Sequence, residues 1–161
     1  MNRILGIDPG SRATGYGVID STRQTNHYVT SGCIRTESKH FPDRLGEIFT
    51  GLRAIIAETQ PDQVAIEQVF VAKNAGSALK LGQARGAAIT AAVTLQLPVY
   101  EYTPRAVKQA IVGTGAADKT QVQHMVKLLL NRQQAMGMDE SDALGIALCH
   151  AHSQPLHHKL T

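Results

Sequence analysis

The chain has 161 residues, 43% of them apolar, and a formal net charge of +3. This length suits one domain with one substantial core, which we place at residues 1–153, followed by a short disordered tail at residues 154–161. The apolar runs are far below the ~18 residues that cross a bilayer, so we expect a soluble, cytoplasmic protein. Cys33 and Cys149 have neither a disulfide framework nor zinc-ligand spacing, and we expect buried thiols.

The charge is distributed unevenly along the chain. Residues 68–138 contain eight Lys or Arg against two acids, a balance of +6, which leaves −3 for the remainder. A basic face beside an acidic cluster is typical of polyanion-binding proteins, because Lys and Arg neutralise phosphates and carboxylates hold divalent cations. A solvated, lysine-rich surface explains the charge alone equally well.

The first part of the sequence has the pattern of strands followed by a helix. Three alternating segments separated by turn residues predict an antiparallel meander. They are residues 3–8, 14–20 and 27–36. Residues 41–60 have apolar side chains at helical spacing and precede Pro61, which indicates an amphipathic helix. Residues 63–67 are a short apolar segment, which indicates a further strand.

The second part is mostly helical. Residues 74–96 are rich in Ala and Gly and indicate a long helix, in which Gly76, Gly82 and Gly86 cost about 1 kcal/mol each relative to alanine. We therefore expect another element to pack closely against this helix. The remaining predictions are a strand at 99–102 and helices at 104–112, 119–130 and about 140–152. This order predicts a mixed α/β fold but does not fix the strand pairing.

Four acidic residues stand at the ends of apolar elements. Asp8 ends the first strand and Glu67 ends the fourth, so their carboxylates meet at one sheet edge if these strands are parallel neighbours. Asp139 and Asp142 share a face at the start of the last helix, which is apolar enough to be buried. Each acid alone is more often a turn or cap residue. Together they are the oxygen ligands that Mg²⁺ or Mn²⁺ prefers, and they predict phosphodiester hydrolysis by two ions about 4 Å apart.

The residues around these acids form a series of motifs. Residues 5–11 read Leu-Gly-Ile-Asp-Pro-Gly-Ser, and residues 66–70 read Ile-Glu-Gln-Val-Phe. Further blocks lie at residues 14–18, 73–75, 77–86, 107–109, 113–119 and 139–144. In order and spacing these motifs resemble the RuvC family of Holliday-junction resolvases, or crossover junction endodeoxyribonucleases, over nearly the whole chain. The resemblance implies an α/β, ribonuclease-H-like fold with a mixed five-stranded sheet flanked by helices.

The resemblance also implies a function and site residues. It implies a Mg²⁺-dependent endonuclease that resolves Holliday junctions by symmetric paired nicks in homologous recombination and DNA repair. The catalytic residues, which would hold two Mg²⁺ per subunit with Mn²⁺ as a substitute, are Asp8, Glu67, Asp139 and Asp142. Phe70 matches an aromatic residue that stacks on junction bases, and Lys108 and Lys119 match phosphate-contacting lysines. Further DNA-binding candidates are Lys73, Lys80 and Arg85. A core phenylalanine and a solvated lysine face are the alternatives.

The partners that the resemblance implies are four-way junction DNA, a second copy of the chain, and a branch-migration helicase complex of the RuvA and RuvB type. No membrane partner is expected. The small residues of the long helix, Ala84, Ala88, Ala91 and Ala92, would allow a twofold contact between copies, although packing on the chain's own sheet is the simpler explanation.

Three other classes of protein compete with this interpretation. An actin-like or sugar-kinase-like ATPase also has a strand followed by an Asp-x-Gly-Ser motif, but it needs two lobes and a longer chain. A nuclease that trims structured RNA shares the Asp-Pro-Gly opening, and residues 67–86 argue against it. A catalytically inert junction-binding module would not need intact acids. Nucleotide-binding and junction-cleavage assays would separate these classes.

Overall fold

The structure is a computed structural model that describes residues 1–69 and 74–157. Its five strands are β1 (Asn2–Asp8), β2 (Ala13–Ser21), β3 (Asn26–Arg35), β4 (Gln63–Glu67) and β5 (Val99–Tyr102). They form one sheet in the order β3-β2-β1-β4-β5. Strands β1, β2 and β3 pair antiparallel, whereas β4 pairs parallel with both β1 and β5. The predicted meander and the mixed five-stranded sheet are therefore confirmed.

Five helices cover the sheet. They are α1 (Phe41–Thr59), α2 (Ala75–Val93), α3 (Pro104–Val112), α4 (Lys119–Leu129) and α5 (Met138–His157). A side-chain cap begins three of them: the Asn74 side chain accepts a hydrogen bond from the backbone of Ser77 at the start of α2, and α3 and α4 have their own caps. The Thr103 side chain accepts a hydrogen bond from the backbone of Ala106 before α3, and Asp118 and Gln121 form a reciprocal capping box before α4. Within the described ranges, none of these helices is long and apolar enough to cross a membrane.

The last helix is longer than the sequence pattern indicates. It continues to His157, so residues 154–157, which we expected in a tail, are helical. Side-chain contacts hold this last part of the helix: Ser153 Oγ donates to the Cys149 carbonyl at 2.8 Å, and Gln154 Nε2 donates to Gln63 Oε1 at 2.6 Å. The contact with Gln63 on β4 is long-range and could not be read from the local pattern.

The alternation of the strands separates two cores. Leu5 and Ile7 of β1 pack with α1 and α2 on one face of the sheet, whereas Ile4 packs with α3, α4 and α5 on the other. In β4, Ile66 faces α1 and α2, and Ala65 faces α5. Continuing this alternation places Asp8 and Glu67 on the α5 face.

Helix α5 lies unusually close to the sheet because glycines face it. A Cβ atom at Gly6 of β1 would overlap the backbone oxygen of Ala143, and one at Gly15 of β2 would overlap the backbone oxygen of Asp139. Glycine inside a strand commonly marks such a close backbone approach. These two glycines thus set the distance between the sheet and the helix that carries two of the candidate acids.

Gly6→Ala is expected to destabilise the fold by about 1–3 kcal/mol or more, because the added methyl group must push α5 off the sheet. Gly46→Ala is the matched control: nothing lies within 4 Å of a Cβ there, and alanine stabilises an exposed helix position by up to about 1 kcal/mol. Denaturant unfolding of both variants measures the difference. Equal effects of the two substitutions would contradict the close approach of α5.

Helix α2 has a buried alanine face and an exposed glycine face. Ala84, Ala88, Ala91 and Ala92 are fully buried among α1 and the strands, so the simpler explanation of these alanines is correct. Another element does pack against α2, as expected, because α1 shares its core, but the contact does not involve the glycines. Gly82 and Gly86 are exposed, and apart from the helix's own backbone no atom of the described residues lies within 4 Å of a Cβ built at either. Their face of α2 is open to solvent.

Candidate active site

A pocket of about 340 Å³ opens where β1 and β4 end beside the start of α5. Its polar lining consists of Asp8, Glu67, Asp142, Lys108 and Lys119, and apolar side chains of α3, α4 and α5 complete its wall. Three of the four predicted acids and two of the predicted lysines are therefore gathered in one place.

The strand pairing explains why two of the acids meet. Ile7 of β1 is opposite Ile66 of β4 in a parallel register, so the next residues, Asp8 and Glu67, leave the sheet side by side at the same edge. This adjacency, which the sequence pattern could not fix, is confirmed. Asp142 reaches the same pocket from the first turns of α5.

Asp139 is placed differently from the other three acids. It lies one turn before Asp142, and its backbone oxygen rests against Gly15. Its Oδ2 atom lies 3.8 Å from Sγ of Cys33, a residue that is only partly buried, so the expectation of a buried thiol holds for Cys149 alone. Asp139 is not among the residues that line the pocket.

The pocket concentrates negative charge away from water. Burial, together with the like charges of Asp142, Glu67 and Asp139, raises the pKa of Asp8 from 3.8 to about 7. Burial likewise raises the pKa of Glu67 and of Asp142. The charge and hydrogen bond of Lys119, and to a lesser extent the neighbouring Asp8 side chain, act to lower the pKa of Asp142. The acids thus hold a proton where a cation would relieve their repulsion.

Two lysines partly balance this charge. Nζ of Lys119 lies 3.3 Å from Oδ2 of Asp142, and the Lys119 side chain is still 58% exposed. Lys119 and Lys108 both act to lower the pKa of Glu67. Because Lys119 is the first residue of α4, the capping box described above fixes its position at the rim of the pocket.

The carboxylates of the pocket are ligands that suit a divalent metal ion, but their side chains do not converge on one point. Across residues 1–69 and 74–157, no three or more Asp, Glu, His or Cys side chains are arranged so that they could hold a metal ion. The residues nevertheless fit a hard cation, because the donors are carboxylate oxygens and the lysines compensate their charge only in part. The Lys119 ammonium and the proton on Asp8 now balance part of the negative charge that a metal ion would balance. Binding of a metal ion would therefore require these side chains to rearrange.

The other DNA-binding candidates lie elsewhere. Phe70 and Lys73 are outside the described residues, and their roles stay predictions. Lys80 has its Nζ atom 5.8 Å from the centre of the Phe41 ring. Arg85 forms an ion pair with Glu101. Neither Lys80 nor Arg85 lines the pocket.

Sequence reasoning missed the residues that shape the pocket without touching it. Gly6 and Gly15 bring α5 to the sheet, and glycine in the interior of two apolar strands was the available signal. The hydrogen bond from Arg85 to the backbone of Glu67 had no local signal, because 18 residues separate the two.

The fold and the acidic pocket bordered by lysines are typical of nucleases that hydrolyse phosphodiesters. Residues 4–150 match the family model described as crossover junction endodeoxyribonuclease RuvC. The chain therefore belongs to the RuvC family. This membership makes it an endodeoxyribonuclease, and it implies dependence on a divalent metal ion.

Individual relatives agree with this assignment. The crossover junction endodeoxyribonuclease RuvC of Vibrio parahaemolyticus is 60% identical over 153 residues, which cover 95% of this chain and 88% of the relative. That of Methylococcus capsulatus is 57% identical over 161 residues, covering 100% and 94%. Thermus thermophilus RuvC, solved in complex with Holliday junction substrate, is 31% identical with a TM-score of 0.90, covering 98% and 97% of the two chains.

Proposed function

We propose that this protein resolves four-way DNA junctions by symmetric paired nicks, with Mg²⁺ ions held by Asp8, Glu67, Asp139 and Asp142. The carboxylate cluster carries the proposal, because Asp8, Glu67 and Asp142 line one pocket, where burial raises their pKa values. The neighbouring lysines balance this charge only in part. The T. thermophilus relative bound to Holliday junction substrate supports four-way junctions as the DNA. We propose two ions per subunit, with Mn²⁺ able to replace Mg²⁺.

Each group of residues has a part in this reaction. Bound divalent ions supply an activated water and stabilise the departing oxygen. Asp8 and Glu67 stand on the rigid ends of two paired strands, so the sheet fixes their separation. Lys108 and Lys119 at the rim hold the phosphate backbone by charge. Apolar side chains of α3, α4 and α5 form the rest of the wall, and such surroundings strengthen charge interactions relative to those in bulk water.

A synthetic four-way junction tests the proposal. Purified protein should cleave it at symmetric positions on two strands when Mg²⁺ or Mn²⁺ is present, and should bind it without cleavage in EDTA. A linear duplex of the same sequence is the control substrate. Failure to cleave the junction with either metal, or equal cleavage of the duplex, would refute the proposed function.

Lys108→Ala and Lys119→Ala are each expected to weaken junction binding and to flatten the plot of log affinity against log salt by about 0.9 for each phosphate that is no longer neutralised. Both lysines line the pocket. Lys127→Ala, on the last turn of α4, is the matched control and should keep the wild-type slope. Fluorescence anisotropy in EDTA at several salt concentrations measures the slope. An unchanged slope for Lys119→Ala would show that this lysine only pairs with Asp142.

Symmetric cleavage requires two sites related by a twofold axis, and we propose a homodimer. The open face of α2 supports it. Leu79 and Val93, at its two ends, are 72% and 56% exposed, and the exposed glycines Gly82 and Gly86 between them would let a second helix approach closely. A branch-migration helicase complex of the RuvA and RuvB type is the further partner that we propose from the family.

A further inference from the structure

Arg85 ties the strand end that carries Glu67 to its neighbours. Its Nε atom donates a hydrogen bond to the backbone oxygen of Glu67 at 3.1 Å. Its Nη2 atom donates to Oε1 of Glu101, and this contact is also an ion pair. Because the three residues belong to α2, β4 and β5, one guanidinium joins three elements at the edge of the sheet.

Arg85 does this from the far side of the sheet. Its neighbour Ala84 packs into the core between the sheet and α1. Glu101 is opposite Ile66 in the β4–β5 register, and Ile66 faces that same core. Glu67 follows one residue later and lines the pocket on the other side. Arg85 therefore reaches the backbone of Glu67 from behind, and not its carboxylate.

We infer that Arg85 is a positioning residue for Glu67: it fixes the last peptide unit of β4 and thereby the direction of the Glu67 carboxylate. The inference rests on the proposed function and adds a role for Arg85 other than DNA contact. A guanidinium suits this role because its donors are held in a fixed planar arrangement, whereas a lysine ammonium is a point charge. The Arg85 side chain is only 18% exposed, which leaves little of it for a phosphate.

Arg85→Lys tests the inference, because it keeps the positive charge and loses the paired donors. In EDTA its junction affinity and salt slope should equal those of the wild type. The Mg²⁺ concentration for half-maximal single-turnover cleavage should rise by about 10-fold or more, which is typical when a residue supporting a metal ligand is removed. Calorimetric titration of the free protein with Mg²⁺, a readout independent of cleavage, should show a parallel loss of affinity.

Two further variants sharpen the test. Glu101→Gln removes the ion pair that aims Arg85, so it should shift the Mg²⁺ requirement in the same direction by a smaller factor. Arg53→Lys is the matched control, since Arg53 lies on α1 and its guanidinium donates to Thr94 Oγ1, after the end of α2, at 2.8 Å. It should leave the Mg²⁺ requirement and the salt slope unchanged.

A phosphate contact by Arg85 would give the opposite pattern. Arg85→Lys would then cleave like the wild type, Arg85→Gln would flatten the salt slope by about 0.9, and Glu101→Gln would tighten junction binding. Any of these results overturns the inference. If Arg85→Lys is unfolded at the assay temperature, Glu101→Gln decides. Wild-type protein that fails to cleave refutes the proposed function instead, because every test of the inference compares the variants with a wild type that cleaves.

Discussion

Asp8→Asn is expected to lower the rate of junction cleavage by roughly a thousand-fold or more and to leave the Kd for the junction nearly unchanged. Metal-assisted hydrolysis supplies several kcal/mol of transition-state stabilisation, and each ~1.4 kcal/mol is a factor of ten in rate. Asp8 is the most strongly perturbed of the acids in the pocket, with its pKa raised to about 7. An amide there removes one anionic oxygen ligand but no phosphate-binding cation, so binding survives.

Single-turnover cleavage in Mg²⁺ and anisotropy in EDTA measure the two quantities. Asp43→Asn is the matched control, because Asp43 is an exposed acid in the first turn of α1 that pairs only locally with His40. It should change neither quantity. If Asp8→Asn cleaved at the wild-type rate, Asp8 would not be a metal ligand. If Asp8→Asn lost binding as well as cleavage, the assignment of DNA binding to the lysines and of catalysis to the acids would be wrong.

The sequence predicted the elements well because each has a strong local pattern. Residues 143–149 of α5 are apolar almost without interruption, which only a buried helix tolerates, and all seven are buried. Strand β4 is a short apolar run that ends in Glu67. In such segments the apolar pattern of the sequence directly predicts which residues are buried.

The faces and contacts of the elements were less predictable. Helix α2 has small or apolar residues all round, so periodicity could not tell the buried side with Ala84 and Ala88 from the open side with Gly82 and Gly86. The meeting of Asp8 and Glu67 depends on the crossover that places β4 beside β1, a long-range event. The family resemblance supplied that adjacency, and local spacing did not.

The charge count of residues 68–138 was also incomplete as a guide to the site. It grouped Lys108, Lys119 and Arg85 as equivalent cations, and the structure divides them. The two lysines stand in the pocket, whereas Arg85 is engaged by Glu101 and a backbone oxygen behind the sheet. A cation's role follows from what its donors already contact, which composition does not record.

The metal-free protein is expected to lose stability as the pH rises from about 4 to about 7, and Asp8→Asn should abolish most of that loss. In this window folded Asp8 keeps a proton that the unfolded chain, with a pKa of 3.8, releases. The folded state then binds more protons, so the unfolding free energy falls with increasing pH. A shift of about three pKa units corresponds to roughly 4 kcal/mol at most. The raised pKa values of Glu67 and Asp142 act in the same direction.

Denaturant unfolding in EDTA from about pH 3 to about pH 8 measures the effect as the difference between wild type and Asp8→Asn, which cancels the titration of the groups that do not interact with Asp8. The two proteins should be about equally stable below about pH 3, where Asp8 is neutral in both states, and the variant should be clearly more stable above about pH 7. Asp43→Asn should follow the wild-type curve.

Mg²⁺ should stabilise the wild type at the upper end of this pH range, since a ligand that binds the folded state raises the unfolding free energy, and it should stabilise Asp8→Asn less. If the unfolding free energies of wild type and variant changed in parallel with pH, the pKa of Asp8 would not be raised by folding. The proposed metal site would then have to be centred on other residues.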